Sequence, residues 1–348
     1  MKKTILIFLI SCTVGTLFAQ NDSKQDPFLT KSLATETIKD VDVETSGGNI
    51  SVESVPAGQA RVEVFIWASN RNKGGSLSKD EIQKRLDEYY DLNITVADSK
   101  VTAIAKSKNK KWDWKNALSI SFKVFVTKNV STHLTTSGGN INLQDLAGTQ
   151  RITTSGGNLI IDNVKGKLRG TTSGGNIHVK GSDNDIDLTT SGGNIEASNC
   201  TGEIRLVTSG GSIRLADLDG NVDATTSGGD VRANEIKGDL EANTSGGNID
   251  LSALSCNVST ATSGGNISVS IKVPGKFIRI KNSGGKIDLQ LPAGKGYDLD
   301  LSADKIKTDN MASFSGKVDD DQIDGKLNGG GTQVTANASS GKITLTFR

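Results

Sequence analysis

The chain has 348 residues, with 40 Lys and Arg against 39 Asp and Glu and 23% charged residues overall. That balance excludes a charge-driven disordered chain and, lacking a basic excess, gives nothing to a nucleic-acid binder. Aromatic residues are only 4% while glycines number 40, a composition that suits thin stacked coils, each needing only a few Val, Ile or Leu, better than one large globular core.

The start reads as an export signal. Lys2 and Lys3 precede an apolar stretch from Thr4 to Phe18, and Ala19 precedes the polar Gln20-Asn21-Asp22, so cleavage after Ala19 is expected. An alternative stands beside it: Leu9-Ile10-Ser11-Cys12 matches a lipobox, which would make Cys12 a lipidated N-terminus. The apolar stretch is too short for a membrane-spanning helix, so no transmembrane segment is expected after signal removal. Residues 20–44 form a polar leader that runs into the alternating Val41-Asp42-Val43-Glu44.

Thr45 to Glu53 reads TSGGNISVE, a first coil-like copy of a motif that returns later. Arg61 to Trp67 alternates as a strand. A helix is expected near 78–90, with Ser78 and Glu81 as a capping box and Ile82, Leu86, Tyr89 and Tyr90 as its apolar stripe. Alternating strands follow at Leu92–Val96, Val101–Ala105 and Leu118–Val126. Residues 45–136 thus read as irregular N-terminal coils carrying a helical insertion that caps the open end.

From Ser137 the chain repeats. Ser-Gly-Gly recurs at 137, 155, 173, 191, 209, 227, 245 and 263, every interval being 18 residues. Counting from each Ser, position 4 is usually Asn, position 5 is always aliphatic (Ile141, Leu159, Ile177 and onward), and positions 7 and 10 are mostly so. Position 12 is commonly Gly, positions 14 and 16 carry a second apolar pair, and position 18 is Thr in seven of eight repeats. Apolar residues two apart define strands with one buried face, so each repeat predicts two short strands. Gly-Gly and Asn are expected to supply turns with positive φ. One such coil cannot bury its apolar face alone and must stack on its neighbours, placing Asn over Asn and Ser/Thr over Ser/Thr as hydrogen-bonded ladders. Residues 137–282 are therefore expected to form the regular solenoid and 283–348 its C-terminal coils and cap. Lys276–Ile280 and Ile287–Leu291 read as the last full coils, with a looser tail ending in Lys342–Phe347. A left-handed hexapeptide helix fits only partly, because position 4 is Asn, and this favours the right-handed form.

The register also bears on the cysteines. Cys200 and Cys256 fall three coils apart, roughly 14 Å at the usual strand spacing, beyond the ~7 Å that a disulfide allows. Two unpaired thiols are expected, with Cys200 buried.

Chemistry is sparse. His133 and His178 are the only histidines and sit in no nucleophile or metal motif. Asp183, Asp185 and Asp187 read as one loop of one coil, with no matching acidic cluster above or below, as a polysaccharide-cleaving face would need. Asp319-Asp320-Asp321 with Asp324 reads as a solvated acidic loop rather than a calcium site. No catalytic residue, cofactor or metal is assigned. The unusual surface motif is Lys108 to Lys115, in which Lys111, Trp112 and Trp114 are the candidate partner-binding residues; the alternative is that the tryptophans pack the insertion onto the solenoid end.

The repeated Thr-Ser-Gly-Gly-Asn-Ile-x-Val with an intervening Leu-x-Gly, after a signal and a strand-rich N-terminal part, resembles the "putative adhesin" β-helix family, a domain-of-unknown-function group of bacterial envelopes. The resemblance covers most of residues 40–348 and implies an all-β, single-stranded right-handed β-helix. It brings no catalytic residues. The expected protein is an exported, non-enzymatic β-solenoid of a Gram-negative bacterium, at the cell surface, extracellular or periplasmic. It would act as an adhesin-like or structural envelope protein that binds cell-surface glycans or envelope proteins. Two further readings stand: a periplasmic scaffold or sensing partner, and, ranked last, a polysaccharide-acting enzyme.

Overall fold

The computed structural model describes residues 26–69, 77–108 and 116–348. The chain there is a solenoid of 26 strands and one helix, Lys79–Tyr89. Each coil contributes one strand to each of two parallel ladders. The first ladder stacks Ile141–Gln144, Leu159–Asp162, Ile177–Lys180 and Ile195–Ser198; the second stacks Ala147–Thr154, Lys165–Thr172, Asp183–Thr190 and Thr201–Thr208. Pairing is in register, with Leu159 beside Ile177 and Ile177 beside Ile195, so position-5 residues form one continuous buried column. In later coils the two strands join across the corner, as in Ile213–Thr226 and Ile249–Thr262.

The glycine pair has a different reason from the one the sequence suggested. Neither glycine of these pairs has a positive φ. A Cβ at the second one, Gly193, would lie 1.9 Å from the Gly175 carbonyl oxygen of the coil below, whereas at the first, Gly192, the nearest atom would be 3.7 Å away. Close coil-on-coil approach, not turn conformation, demands the second glycine. Positive φ occurs instead at position 9, at Asp145, Asn163, Asn199, Asp217, Glu235 and Ala253, and at position 12, at Gly166 and Gly202. The position-12 glycines lie inside strands rather than between them, which is why the second strand begins earlier than its apolar pair indicates.

The buried threonines of position 18 knit the corner. Thr208 Oγ1 donates to the Gly193 carbonyl at 2.8 Å and accepts from the Gly211 N–H at 3.3 Å. A buried hydroxyl with both roles filled avoids the cost of an orphaned polar group, and the same pair of bonds recurs at Thr172, Thr190, Thr226, Thr244 and Thr262. Where the column reaches Asn282, the amide fills both roles: Nδ2 donates to the Gly265 carbonyl at 2.9 Å and Oδ1 accepts from Gly285 at 3.0 Å. The asparagine ladder also differs from expectation. It runs mainly from side chain to backbone: Asn140 Oδ1 accepts from the Asn158 N–H at 2.8 Å, and Asn158 Oδ1 from Asn176.

Both ends depart from chain order. The first copy, with strands Asp40–Thr45 and Ile50–Ser54, stacks directly on the coil beginning at Ser131, although Asn49 and Asn140, which share a 2.9 Å bond, are 91 residues apart. Beneath it lies a coil built from Lys100–Ser107 and Leu118–Val126. Antiparallel strands Arg61–Ala68, Leu29–Ser32 and Tyr90–Ala97 finish that end, so ordered strands already lie within the stretch read as leader. The helix rests there on Ile82 and Leu86; Ser78 Oγ accepts from Glu81 N–H at its start, while the Glu81 carboxylate pairs with Arg85 at 2.8 Å.

At the far end, Ile287–Leu291 is not the last coil. The final strand, Thr332–Phe347, adds in parallel to both Phe277–Asn282 and Ile287–Leu291, and Tyr297–Thr308 then adds to its outer edge. Ser340-Gly341, a shortened copy of the Ser-Gly-Gly motif, explains the placement: a Cβ on Gly341 would meet the Gly285 carbonyl oxygen at 2.0 Å, the same close stacking as in the regular repeats. Antiparallel Gln322–Leu327 and Phe314–Val318 close this end. Antiparallel strands on both ends interrupt the parallel template that would otherwise recruit further chains.

Candidate functional site

The inward residues are spent on the core, so functional chemistry is confined to the outward columns and the ends. On the second ladder, outward positions 13 and 15 carry Lys167 and Arg169, then Asp185 and Asp187, then Glu203 and Arg205, then Asp223, Asp239 and Glu241, on consecutive strands. The acidic stretch 183–187 is thus a strand, Asp183–Thr190, not a loop, and carboxylates do recur on the coils beyond it. Sequence reading missed this because the carboxylates shift between positions 13 and 15 and are interleaved with Arg205 and Asn221. A shallow groove of about 540 Å³ runs across this face from Arg169 to Phe277.

Along the first part of the groove, charges find opposite partners one coil away. Asp187 lies 3.8 Å from Arg169 and 3.4 Å from Arg205, and Arg205 lies 3.7 Å from Asp223. Lys167 reaches Asp185 at 3.3 Å. Where no cation is stacked, an amide serves: Asn221 donates to Glu203 and Asn257 to Asp239, each at 2.7 Å. The result is an open, flat, chemically alternating surface with half-exposed side chains.

The first ladder's outer face is similar. His178 Nδ1 is 3.1 Å from Glu196, which also receives Arg214 at 3.3 Å. His133 Nδ1 stands 4.0 Å from Asp42 on the second ladder. In the acidic hairpin, Asp319 pairs with Lys317 at 2.5 Å, and the Asp320 and Asp321 carbonyls accept backbone N–H groups from Ile306 and Ala303. No group of three or more His, Cys, Asp or Glu arranged to hold a metal is found among the described residues. Lys111, Trp112 and Trp114 lie outside the described residues. Lys108, which begins that motif, donates to the Asp87 carbonyl at 2.6 Å and borders a groove of about 800 Å³ between the helix, Phe28 and Leu92.

Cys200 and Cys256 are both free and buried. Burial raises the Cys200 thiol, and burial, with a smaller contribution from Asp239, pushes the Cys256 thiol up to about 12. Burial likewise pushes the Tyr297 phenol up to about 12. No described helix is long and apolar enough to cross a membrane.

Comparison with known proteins locates the family. Residues 180–346 match the Toastrack DUF4097 family. Among solved structures, a "putative cell adhesion protein" from Clostridium sporogenes ATCC 15579 aligns at 10% identity, over 92% of this chain and 98% of that one, with a TM-score of 0.18. A "putative adhesin" from Bacteroides fragilis NCTC 9343 aligns at 12% identity, over 91% and 96% of the two chains, with a TM-score of 0.24. Neither score is high enough to carry an argument about this chain. No curated protein matches it. Residues 180–346, which hold the later coils and the interleaved C-terminal end, therefore belong to the Toastrack DUF4097 family, whose function is unknown.

Proposed function

We propose that the protein is an exported, non-enzymatic envelope solenoid with an adhesin-like or structural role, using its long outer faces to contact glycan or protein partners. One observation carries the reading: the charged groove of the second ladder is open along its length and spans strands from Arg169 to Phe277, which suits a polymer or a protein surface better than a small molecule. The signal-like residues 1–19 support export. Because carboxylates recur along that groove, polysaccharide cleavage is the reading to test against it.

The test is cell binding and catalysis measured together. Soluble protein lacking residues 1–19 is expected to bind intact cells or immobilised envelope polysaccharide, with binding weakened by Asp187→Lys and Asp223→Lys and with no release of reducing ends. Reducing-end release from a bound polysaccharide, abolished by Asp187→Asn or Glu203→Gln, would replace this reading with an enzymatic one. Failure to bind either target would leave the periplasmic scaffold.

A further inference from the structure

The regular period breaks once within the stack, and the break projects a corner. After Ser263 the next Ser-Gly-Gly comes 20 residues on, at Ser283, and the pairing of Ile249–Thr262 with Ile267–Ile271 shifts register between Leu251 and Leu254. Lys272 and Val273 both donate their N–H to the Leu254 carbonyl, at 2.8 and 3.1 Å, which turns Lys272-Val273-Pro274-Gly275-Lys276 outward. Val273 is 56% exposed, the highest value among the exposed large hydrophobic residues described.

The chain segment that makes this corner carries no acid; Asp239 lies one strand further on, beyond Asn257, which it holds at 2.7 Å and whose Oδ1 takes the Lys276 N–H. Between Asp250 and Asp288 there is no Asp or Glu, and none occurs in Thr332–Phe347, the strand stacked on Phe277–Asn282. Lys272, Lys276, Arg279 and Lys281 are all exposed. The loop holding exposed Lys295 adjoins them through Thr332, whose N–H donates to the Gly296 carbonyl at 3.2 Å and whose Oγ1 donates to the Gly275 carbonyl at 2.8 Å. Arg169, Arg205, Arg214 and Arg232 each meet a carboxylate on a neighbouring strand. These five cations meet none among the described residues.

We propose that this corner, centred on Lys272–Lys276 and extended by Arg279, Lys281 and Lys295, is a docking edge for an anionic lipid surface. Cations without a carboxylate partner, Arg279 being stacked on the Phe277 ring at 4.2 Å, are attracted to a negatively charged bilayer and are screened by salt. The exposed valine between two lysines favours lipid over a soluble anionic polymer. It can enter the interface while the ammonium groups stay at the headgroups.

The full chain without residues 1–19 is mixed with phosphatidylglycerol-containing vesicles, and separately with pure phosphatidylcholine vesicles, and sedimented. Binding to the anionic vesicles alone, lost at high salt, is expected. Neutralising Lys272 and Lys276 together should weaken it on the order of 25-fold, from about 1 kcal/mol per cation near such a surface, and charge reversal should weaken it further. Val273→Asp should weaken it several-fold at unchanged melting temperature. Charge reversal at Lys39, exposed near the opposite end, should leave it in place. Absence of binding to anionic vesicles, or equal binding by the Lys272→Glu/Lys276→Glu variant, would overturn the proposal. Capture by a soluble anionic polysaccharide without vesicle binding would overturn the lipid assignment.

Discussion

The two glycines of each Ser-Gly-Gly differ in what stacking allows, and alanine substitution separates them. At Gly193 an added Cβ would stand 1.9 Å from the Gly175 oxygen, 2.4 Å from the Gly175 carbon and 2.8 Å from the Asn176 nitrogen. All three are backbone atoms, so no rotamer change relieves the overlap and the two coils must separate locally. Separation stretches the 2.8 Å bond from Asn194 N–H to Asn176 Oδ1 and the 2.8 Å bond from Thr190 Oγ1 to the Gly175 carbonyl. Overpacking costs about 1–3 kcal/mol, and each of the two weakened bonds adds roughly 0.5–1.5 kcal/mol, so Gly193→Ala should destabilise by about 2–6 kcal/mol. At Gly192 the nearest atom is 3.7 Å away, an ordinary contact, and φ is not positive. Gly192→Ala should be neutral or stabilising by about 0.4–1 kcal/mol through the unfolded chain. Chemical denaturation followed by far-UV circular dichroism reads both. Equal losses from the two variants, or no loss from Gly193→Ala, would refute the stacking argument.

Three further outcomes follow from the same geometry. Thr208→Val keeps the shape but orphans the Gly193 carbonyl and the Gly211 N–H, and should cost about 2–4 kcal/mol, while Thr208→Ser costs much less; thermal melts of the pair decide. Ala253 holds φ 54 without a side chain that tolerates it, so Ala253→Asn should stabilise by roughly 0.5–1 kcal/mol, measured against wild type in urea. The Cys256 thiol is raised in the folded state, so its contribution to stability is complete below the ordinary thiol range. That contribution is lost as pH rises from about 9 toward 12. Cys256→Ala should flatten the loss of stability over that window, and both thiols should resist a thiol reagent until the protein is unfolded.

The coils were legible because their signal is local and repeated. Ile177, Val179, Ile186 and Leu188 recur at fixed offsets, and each such offset maps to one buried position. The role of the second glycine was not legible, since the atom that forbids a side chain at Gly193 belongs to Gly175, one coil away. The continuous charged face was hidden in the same way, because Asp187, Arg205 and Asp223 become neighbours only when 18 residues separate stacked positions. The ends were least legible. Nothing in the sequence from Pro292 to Asn328 says that the chain will leave a place for Thr332–Phe347; that follows from which strand best fits the open edges of Phe277–Asn282 and Ile287–Leu291. Asn282 shows how a rule can hold while its residue changes, an amide supplying the donor and acceptor that a threonine hydroxyl supplies elsewhere. The candidate partner motif at Lys111, Trp112 and Trp114 rests on tryptophans set among lysines in the sequence, and the described surface adds a charged groove and a basic corner that no local motif singles out.

Disulfide trapping tests the stacking order most directly, at the end where it differs from chain order. Thr335 pairs with Arg279 on one side and with Asp300 on the other, and all three side chains are exposed. With Cys200 and Cys256 replaced by alanine, Arg279→Cys with Thr335→Cys should oxidise to an intramolecular disulfide, and so should Asp300→Cys with Thr335→Cys. Arg279→Cys with Asp300→Cys, separated by the intervening strand, should stay reduced. A disulfide in that last pair alone would mean that the coils stack in simple chain order and would contradict the architecture described.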